Sequence, residues 1–235
     1  MSNLEEEQKQ ASIQSADHYE LKEEEVGSVL FNLLDPYFKQ GESLTTLDLN
    51  KKRIGTKEAN AISDNTTWTN LNTLNLSYNC IYAEGARALS KNTTWAKLNI
   101  LNVKENGIGD EGAIALSTNT TWINLTTLDL RDNSIGDEGS NALSKNNTWT
   151  NLTTLSLGWN KIDDEGATAL SKNLTWTKLT DLDLSSSKIG AEGAIALSKN
   201  NTWTNLTTLS LGWNKIDDEG KSAVKARWPR AIIRT

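Results

Sequence analysis

The sequence predicts an α/β solenoid, and three observations support this prediction. First, a 27-residue unit recurs without any change of spacing, and its copies begin at Leu44, Leu71, Leu98, Leu125, Leu152, Leu179 and, in shortened form, Leu206. Second, each copy passes from alternating apolar residues, which indicate a strand, to apolar residues at helical spacing. Third, units of this length bury their apolar faces only against one another, so the copies share one continuous core.

The copy that begins at Leu125 illustrates the elements in order. Its first six residues, LTTLDL, alternate and predict a short strand, and Asn133 follows where the strand ends. The segment 136–139, GDEG, combines turn residues with acids that favour a helix N-terminus. A short helix follows, closed by Ser144, Lys145 and Asn146. The inward-facing apolar residues of this copy are Leu125, Leu128, Leu130, Ile135, Ala142 and Leu143.

The N-terminal part of the chain differs from the repeats. Residues 1–22 are polar and acidic and contain few large apolar side chains, so we expect a disordered tail. Apolar residues at helical spacing then predict an N-terminal capping helix within residues 23–43. Asp35 and Pro36 are expected to end or kink that helix.

The repeats and a C-terminal cap account for the rest. Residues 44–220 contain the seven repeats, of which the last is partial, and residues 221–235 are predicted to cap the solenoid. Pro229 is expected to stop the last helix, and residues 231–233 are predicted to pair as a final strand.

Two residue types recur at fixed positions and are interpreted as structural. The ninth position is Asn in five repeats, where its side chain is expected to satisfy backbone groups; Lys52 and Ser187 replace it in the other two. A tryptophan lies between each helix and the next strand, and we predict that these residues form a buried ladder. They are Trp68, Trp95, Trp122, Trp149, Trp176 and Trp203.

The pattern L-x-x-L-x-L-x-x-N-x-I followed by GDEGAxAL resembles the leucine-rich repeat, and within it the ribonuclease-inhibitor-like subtype. The resemblance covers residues 44–220. It implies a curved horseshoe with a parallel sheet on the concave side and helices on the convex side. Helices, which pack about 8–10 Å apart, are wider than strands, which lie about 4.8 Å apart. The near-identity of the repeats is also similar to leucine-rich-repeat effector proteins of intracellular bacteria.

Charge and cysteine usage limit the function classes. Residues 1–25 hold eight acids and two lysines, which equals the net charge of −6, so the remainder is neutral in sum. That balance argues against a nucleic-acid-binding surface. The sequence contains no run of 18 apolar residues, so it predicts no membrane span. The single cysteine, Cys80, and the lack of a secretory signal favour a cytoplasmic location, which for an effector is the cytoplasm of a host cell.

The sequence predicts neither an enzyme nor a cofactor or metal site. The one histidine, His18, lies in the acidic tail, and no catalytic constellation accompanies Cys80. The segments 163–165 and 217–219 resemble acidic metal clusters, but each occupies a predicted helix start, where the macrodipole explains its acids.

The candidate binding residues are those that the repeat does not fix, at the solvent-facing strand positions three, five, seven and eight. The candidates are Tyr78, Lys104, Glu105, Arg131, Asp132, Trp159, Asp181, Asp183 and Trp213. Trp159 and Trp213 each follow a glycine and are two strands apart. We predict that they form the walls of a slot, with Ser185 and Ser186 between them and an acidic floor.

Residues 142–166 and 196–220 are identical, so a two-repeat block was copied and the two tryptophans count as one observation. We expect a monomeric, non-enzymatic module that binds a protein partner on its concave face. One alternative is a GTPase-activating or enzyme-inhibitor-type regulator, which would use Arg131 with Asn102 or Asp132. Another is self-association of the acidic end with the basic end.

Overall fold

The computed structural model describes residues 36–37 and 39–234. The chain divides into two compact units, Met1–Lys39 and Gln40–Thr235. In the first unit Pro36 and Tyr37 are helical. The predicted disordered tail (1–22) and most of the predicted capping helix (23–43) lie outside the described residues. The second unit opens with a 3-10 turn at Gly41–Ser43.

From Gln40 to residue 234, eight strands alternate with seven α-helices. The strands are β1 (Thr46–Asp48), β2 (Thr73–Asn75), β3 (Ile100–Asn102), β4 (Thr127–Asp129), β5 (Thr154–Ser156), β6 (Asp181–Asp183), β7 (Thr208–Ser210) and β8 (Ile232–Arg234). The helices are α1 (Thr56–Ser63), α2 (Tyr82–Lys91), α3 (Gly109–Ser117), α4 (Asp137–Ser144), α5 (Asp164–Ser171), α6 (Ala191–Ser198) and α7 (Asp218–Arg227). All strands belong to one parallel sheet in sequence order. The α/β solenoid predicted from the period is confirmed.

The register of the sheet follows the period of the sequence. Leu128 on β4 pairs with Leu155 on β5, the residue at the same repeat position 27 residues later. This register places the same side chain at the same height in every strand. Of the predicted inward residues of the fourth repeat, the leucines and Ile135 are completely buried, whereas Ala142 is half-buried. The core is therefore a stack of nearly identical layers between the sheet and the helices.

The predicted tryptophan ladder is confirmed. All six repeat tryptophans are completely buried. Trp176 stacks on Trp203 with ring centroids 6.3 Å apart, and Trp203 stacks on Trp228 at 6.4 Å. The indole Nε1 of Trp228 donates to the carbonyl oxygen of Trp203, so this residue of the C-terminal segment continues the ladder.

Asparagines satisfy the backbone where each strand turns away, as predicted for the ninth position. Asn133 Nδ2 donates to the carbonyls of Val103 and Leu130, and its Oδ1 accepts from the amide of Asn106. A second set of asparagines, to which the helix-closing Asn146 belongs, lies three residues before each buried tryptophan. Asn92, for example, accepts from the amide of Trp95 and donates to a carbonyl of the preceding repeat. Both sets tie one repeat to its neighbour.

The helix-start acids bind the next repeat rather than only their own helix. Asp110 Oδ1 accepts from the amides of Gly136 and Gly139, at 2.7 and 2.9 Å. A Cβ at position 139 would lie 2.7 Å from that oxygen, so glycine is required for this approach. These carboxylates therefore cap the N-terminus of the following helix, where unpaired amides need an acceptor.

The C-terminal segment completes the sheet. Helix α7 ends at Arg227, before the predicted stop at Pro229. Strand β8 pairs with β7, with Ile233 opposite Leu209. The predicted final strand therefore forms, shifted by one residue toward the C-terminus.

Candidate functional site: the sheet face

The predicted binding residues lie on the outer side of the sheet, at positions three, five, seven and eight of each repeat; we call this surface the sheet face. Asp181 and Asp183 are the ends of β6. Lys104, Arg131 and the position-eight candidates follow the ends of their strands. The hydrogen-bond ladder continues through these residues, because in the first six repeats the amide of the position-eight residue donates to the next repeat. Trp159, for example, donates to the carbonyl of Ser185 at 2.8 Å.

Position eight has an unusual backbone conformation in every repeat. Its φ is positive throughout, from 51° at Ser186 to 61° at Trp213. This left-handed region costs a non-glycine residue roughly 1–2 kcal/mol, and a bulky residue is rarely found there. The ladder bond fixes the backbone on one side, so the conformation belongs to the repeat, whatever the side chain. In the first six repeats position eight therefore presents its side chain from a rigid support.

Position five is less variable in role than the sequence suggests. In five repeats its carboxylate or amide oxygen accepts from the position-seven amide at 3.0–3.1 Å, as in the pairs Asp129–Arg131 and Asp183–Ser185. The two other repeats carry Ser156 and Ser210 at position five, and both have glycine at position seven. Asp or Asn at position five is therefore a turn residue as well as a candidate contact. In the sequence, Ser at position five together with Gly at position seven marks the two repeats that lack this turn hydrogen bond.

The N-terminal part of the sheet face is internally paired. The Nζ atoms of Lys51 and Lys104, from the repeats on either side, each lie 4.6 Å from the ring centroid of Tyr78. Lys104 Nζ also donates to the Tyr78 hydroxyl at 2.5 Å. Partial burial, together with the charge of Asp132, raises the pKa of Glu105. Tyr78 and Lys104 were predicted as binding residues, and the structure brings them into contact with each other.

Arg131 is occupied by a neighbour in its own repeat. Its Nε and Nη2 atoms both donate to the carboxylate of Asp129, with the Nη2–Oδ2 distance at 2.5 Å. These hydrogen bonds raise the pKa of Arg131, and the charge of Asp183 acts in the same direction. Arg131, which was named with Asn102 or Asp132 for a GTPase-activating role, is therefore held by Asp129 in this structure.

The two predicted walls of the slot are the most exposed large side chains of the sheet face. Trp159 exposes 64% of its surface and Trp213 exposes 88%. Strand β6 lies between their strands in the sheet order. We call Trp159, Trp213 and the residues between them the tryptophan slot. The residues between them are Asp181, Asp183, Ser185 and Ser186.

Gly158 brings the acidic side of the slot close to Trp159. A Cβ at position 158 would lie 2.9 Å from Asp183 Oδ2 and equally close to Ser185 Oγ. Asp183 Oδ1 accepts from the amide and hydroxyl of Ser185, whereas its Oδ2 has no hydrogen-bond partner among the described residues. The carboxylate therefore stands directly beside the backbone that carries Trp159.

Other chemistry is not evident in the described part of the chain. No group of three or more histidine, cysteine or acidic residues among the described residues is arranged to hold a metal ion. The acids near Asp163 act as helix caps, since Asp163 Oδ1 accepts from the amide of Glu165. None of the described helices is long and apolar enough to cross a bilayer.

Comparison with known proteins identifies the family. Six segments match the family model described as Leucine Rich repeat, and together they cover more than half of the chain; they are residues 69–90, 96–117, 123–144, 150–171, 177–198 and 204–224. The chain belongs to the leucine-rich repeat family. Repeats of this family generally mediate protein–protein interactions and are typically not catalytic.

Two further comparisons, with curated proteins and with solved structures, add little to the assignment of this leucine-rich repeat protein to its family. A search of curated proteins found no match. Among solved structures, a leucine-rich repeat protein of Leptospira interrogans matches with 22% sequence identity and a TM-score of 0.48. That match covers 83% of this chain and 49% of the Leptospira chain, so the present chain spans about half the length of that protein.

Proposed function

We propose that this leucine-rich repeat protein binds a protein partner on its sheet face and has no catalytic activity of its own. The observation that carries the proposal is the pair Trp159 and Trp213. Both are exposed indoles at positive-φ positions, and the backbone of Trp159 is also held by a hydrogen bond to the next repeat. Tryptophan is among the residues that contribute most to protein interfaces, because its large apolar surface gains most from leaving water. Exposing two such side chains on one face favours a surface that a partner covers.

The proposal extends to the setting in which the protein acts. The nearly identical repeats support an origin among bacterial effectors, acting in the cytoplasm of a host cell. The regular alternation of strand and helix in every described repeat supports the ribonuclease-inhibitor-like subtype. We also propose a monomer, which light scattering at low and high salt tests. A dimer that dissociates in high salt would favour self-association through opposite charges.

No observation favours the alternative of a GTPase-activating or inhibitor-type regulator. That alternative used Arg131 as a polar residue available to a partner enzyme. The guanidinium instead makes a fork with Asp129, in which its Nε and Nη2 atoms both donate to that carboxylate. A hydrolysis assay with a panel of small GTPases is expected to give no acceleration.

A paired comparison of variants tests the proposed function. Trp159→Ala combined with Trp213→Ala should abolish capture of a partner from lysate of candidate host cells, while thermal melting hardly changes. The matched control is Ile123→Ala with Leu174→Ala, because both of these apolar residues are exposed but lie in the loops before the strands. Equal capture by the two double variants would contradict binding on the sheet face.

A further inference from the structure

We propose that the tryptophan slot binds an arginine side chain from a basic segment of the protein partner. This inference rests on the proposed function and specifies the chemistry of the partner at one place on the sheet face. Three observations carry it: the local charge, the absence of an internal cation at the slot, and the spacing of the two indoles.

The sheet face changes in charge along the solenoid. In the first three repeats, its positions three, five, seven and eight hold two acids and two lysines. In repeats four to seven, the same positions hold four acids, Asp129, Asp132, Asp181 and Asp183, against Arg131 alone. Arg131 already makes a fork with Asp129. Strand β8 adds Arg234 opposite Ser210. The half of the sheet face that carries both tryptophans therefore has four acids against two arginines, and this excess of negative charge attracts a cation.

The chain itself shows how this surface treats an aromatic residue at position eight. Tyr78 has the ammonium groups of two lysines at 4.6 Å from its ring, one from each adjoining repeat. Neither Trp159 nor Trp213 has a cation over its ring among the described residues. At the places of those two lysines, which are position eight of the preceding repeat and position seven of the following one, Trp159 has Asp132 and Ser185, and Trp213 has Ser186 on its preceding side. Tryptophan binds cations more strongly than tyrosine does. Compared with Tyr78, the slot thus has rings that bind cations more strongly, and no cation of the described chain lies over either of them.

The spacing suits one flat cation. The two tryptophans stem from strands two positions apart, which places their backbones roughly 10 Å from each other. A cation midway between two rings that extend in parallel from these backbones is then about 5 Å from each ring. This lies within the roughly 6 Å over which a cation and an aromatic ring attract each other. A guanidinium is planar, stacks on indoles and forms directed hydrogen bonds with a carboxylate. Asp183, whose Oδ2 stands beside Gly158, supplies that carboxylate.

The test uses the full chain and short peptides of defined charge. A tetra-arginine peptide is titrated against ¹⁵N-labelled protein, and the indole N–H signals of Trp159 and Trp213 are assigned from Trp159→Phe and Trp213→Phe. We expect both signals to shift in a saturable manner while the signals of the buried tryptophans stay in place. A tetra-citrulline peptide has almost the same shape without the charge, and it should bind at least about tenfold more weakly.

Charge variants separate the slot from a general attraction. Asp181→Asn with Asp183→Asn keeps the oxygen acceptors and should weaken tetra-arginine binding by about five- to tenfold. Glu111→Gln with Glu138→Gln removes the same charge from exposed helix residues and should leave the affinity nearly unchanged. Equal loss in both double variants, or equal binding of the citrulline peptide, would overturn the inference.

The outcome is separable from that of the proposed function. If Trp159→Ala with Trp213→Ala abolishes partner capture but tetra-arginine leaves both indole signals unmoved, the arginine site is refuted and the binding face stands. If the double variant still captures the partner and tetra-arginine leaves the indole signals unmoved, both proposals fail.

Discussion

Residues 142–166 and 196–220 have the same sequence but different hydrogen bonds. In the first block the preceding repeat caps the helix start, because Asp137 Oδ1 accepts from the amides of Asp163 and Gly166, at 3.0 Å each. In the second block Ala191 occupies the position of Asp137, and Asp217 caps Gly220 within its own helix. The neighbouring repeat, and not the block's own sequence, decides these contacts.

The two blocks also differ at the sheet face. Their tryptophans at position eight are Trp159 and Trp213, and the second is the more exposed of the two. In contrast, their ladder tryptophans, Trp149 and Trp203, are both completely buried. The same residue type within one block thus serves as core at one position and as exposed surface at another. Substitutions at these positions should separate stability from binding.

The largest expected effect is on stability, from Trp149→Ala in the first block. Removing this buried indole should lower the free energy of unfolding by about 3–5 kcal/mol, through lost apolar burial and the cavity that remains. Its twin Trp203→Ala should lose a similar amount, because the ladder contacts repeat. Urea denaturation of both variants measures the loss.

The control for that prediction lies ten residues further along the same block. Trp159→Ala removes an indole of equal size from an exposed position, and its effect should stay within about 0.5 kcal/mol. If Trp149→Ala and Trp159→Ala denatured at the same urea concentration, the assignment of core and surface tryptophans would be wrong.

The junction between the first block and the sixth repeat contains the one interruption of the ninth-position asparagine ladder within repeats two to seven. Ser187 replaces the asparagine, and its Oγ is buried without a hydrogen-bond partner. In the fourth repeat the amides of Asn133 and Ile135 donate to Asn160 Oδ1, whereas the equivalent amides of Asn160 and Ile162 face Ser187. The second block, residues 196–220, therefore follows a junction between repeats that has fewer hydrogen bonds than the equivalent junctions.

Ser187→Asn should restore this ladder. We expect the free energy of unfolding to rise by about 1–2 kcal/mol, because buried backbone groups gain partners. For a chain of this size, that corresponds to an increase in Tm of roughly 2–8 °C. Ser185→Asn, two residues earlier on the sheet face, is the control and should change Tm little, because Asn50 already occupies this position in the first repeat. A Tm equal to that of the unmodified protein would show that the asparagine ladder contributes no net stability.

Much of the fold followed from the repeat, because a fixed period forces equivalent residues into equivalent layers. The burial of Leu128, the ladder of tryptophans and the bonding of Asn133 are properties of one unit stacked on itself. The cap from Asp110 to the next helix was missed for a related reason. Its donor and acceptor lie 26 and 29 residues apart, and a periodic pattern assigns the acid to its own helix equally well.

The candidate site was predictable in position but not in pairing. The repeat positions place Arg131, Tyr78 and Trp159 just after the ends of their strands, and the positive φ of position eight lets positions seven and eight both lie on the sheet face. Which of them is available to a partner depends on side-chain geometry between repeats, and the sequence does not specify it. Tyr78 is enclosed by lysines and Arg131 is held by Asp129, whereas Trp159 remains exposed. The distinction narrows a row of candidate residues to the tryptophan slot.

The smallest expected effect comes from exchanging the helix caps of the two blocks. Asp137→Ala should lower the free energy of unfolding by about 1 kcal/mol, because the amides of Asp163 and Gly166 lose a shared acceptor. Ala191→Asp should stabilise the second block by a similar or smaller amount, since Asp217 already caps Gly220 there. Hydrogen exchange at the amides of Gly166 and Gly220 measures each change locally. If Asp137→Ala left exchange at Gly166 unchanged, Asp163 would have taken over the cap as Asp217 does, and the difference between the blocks would carry no energetic weight.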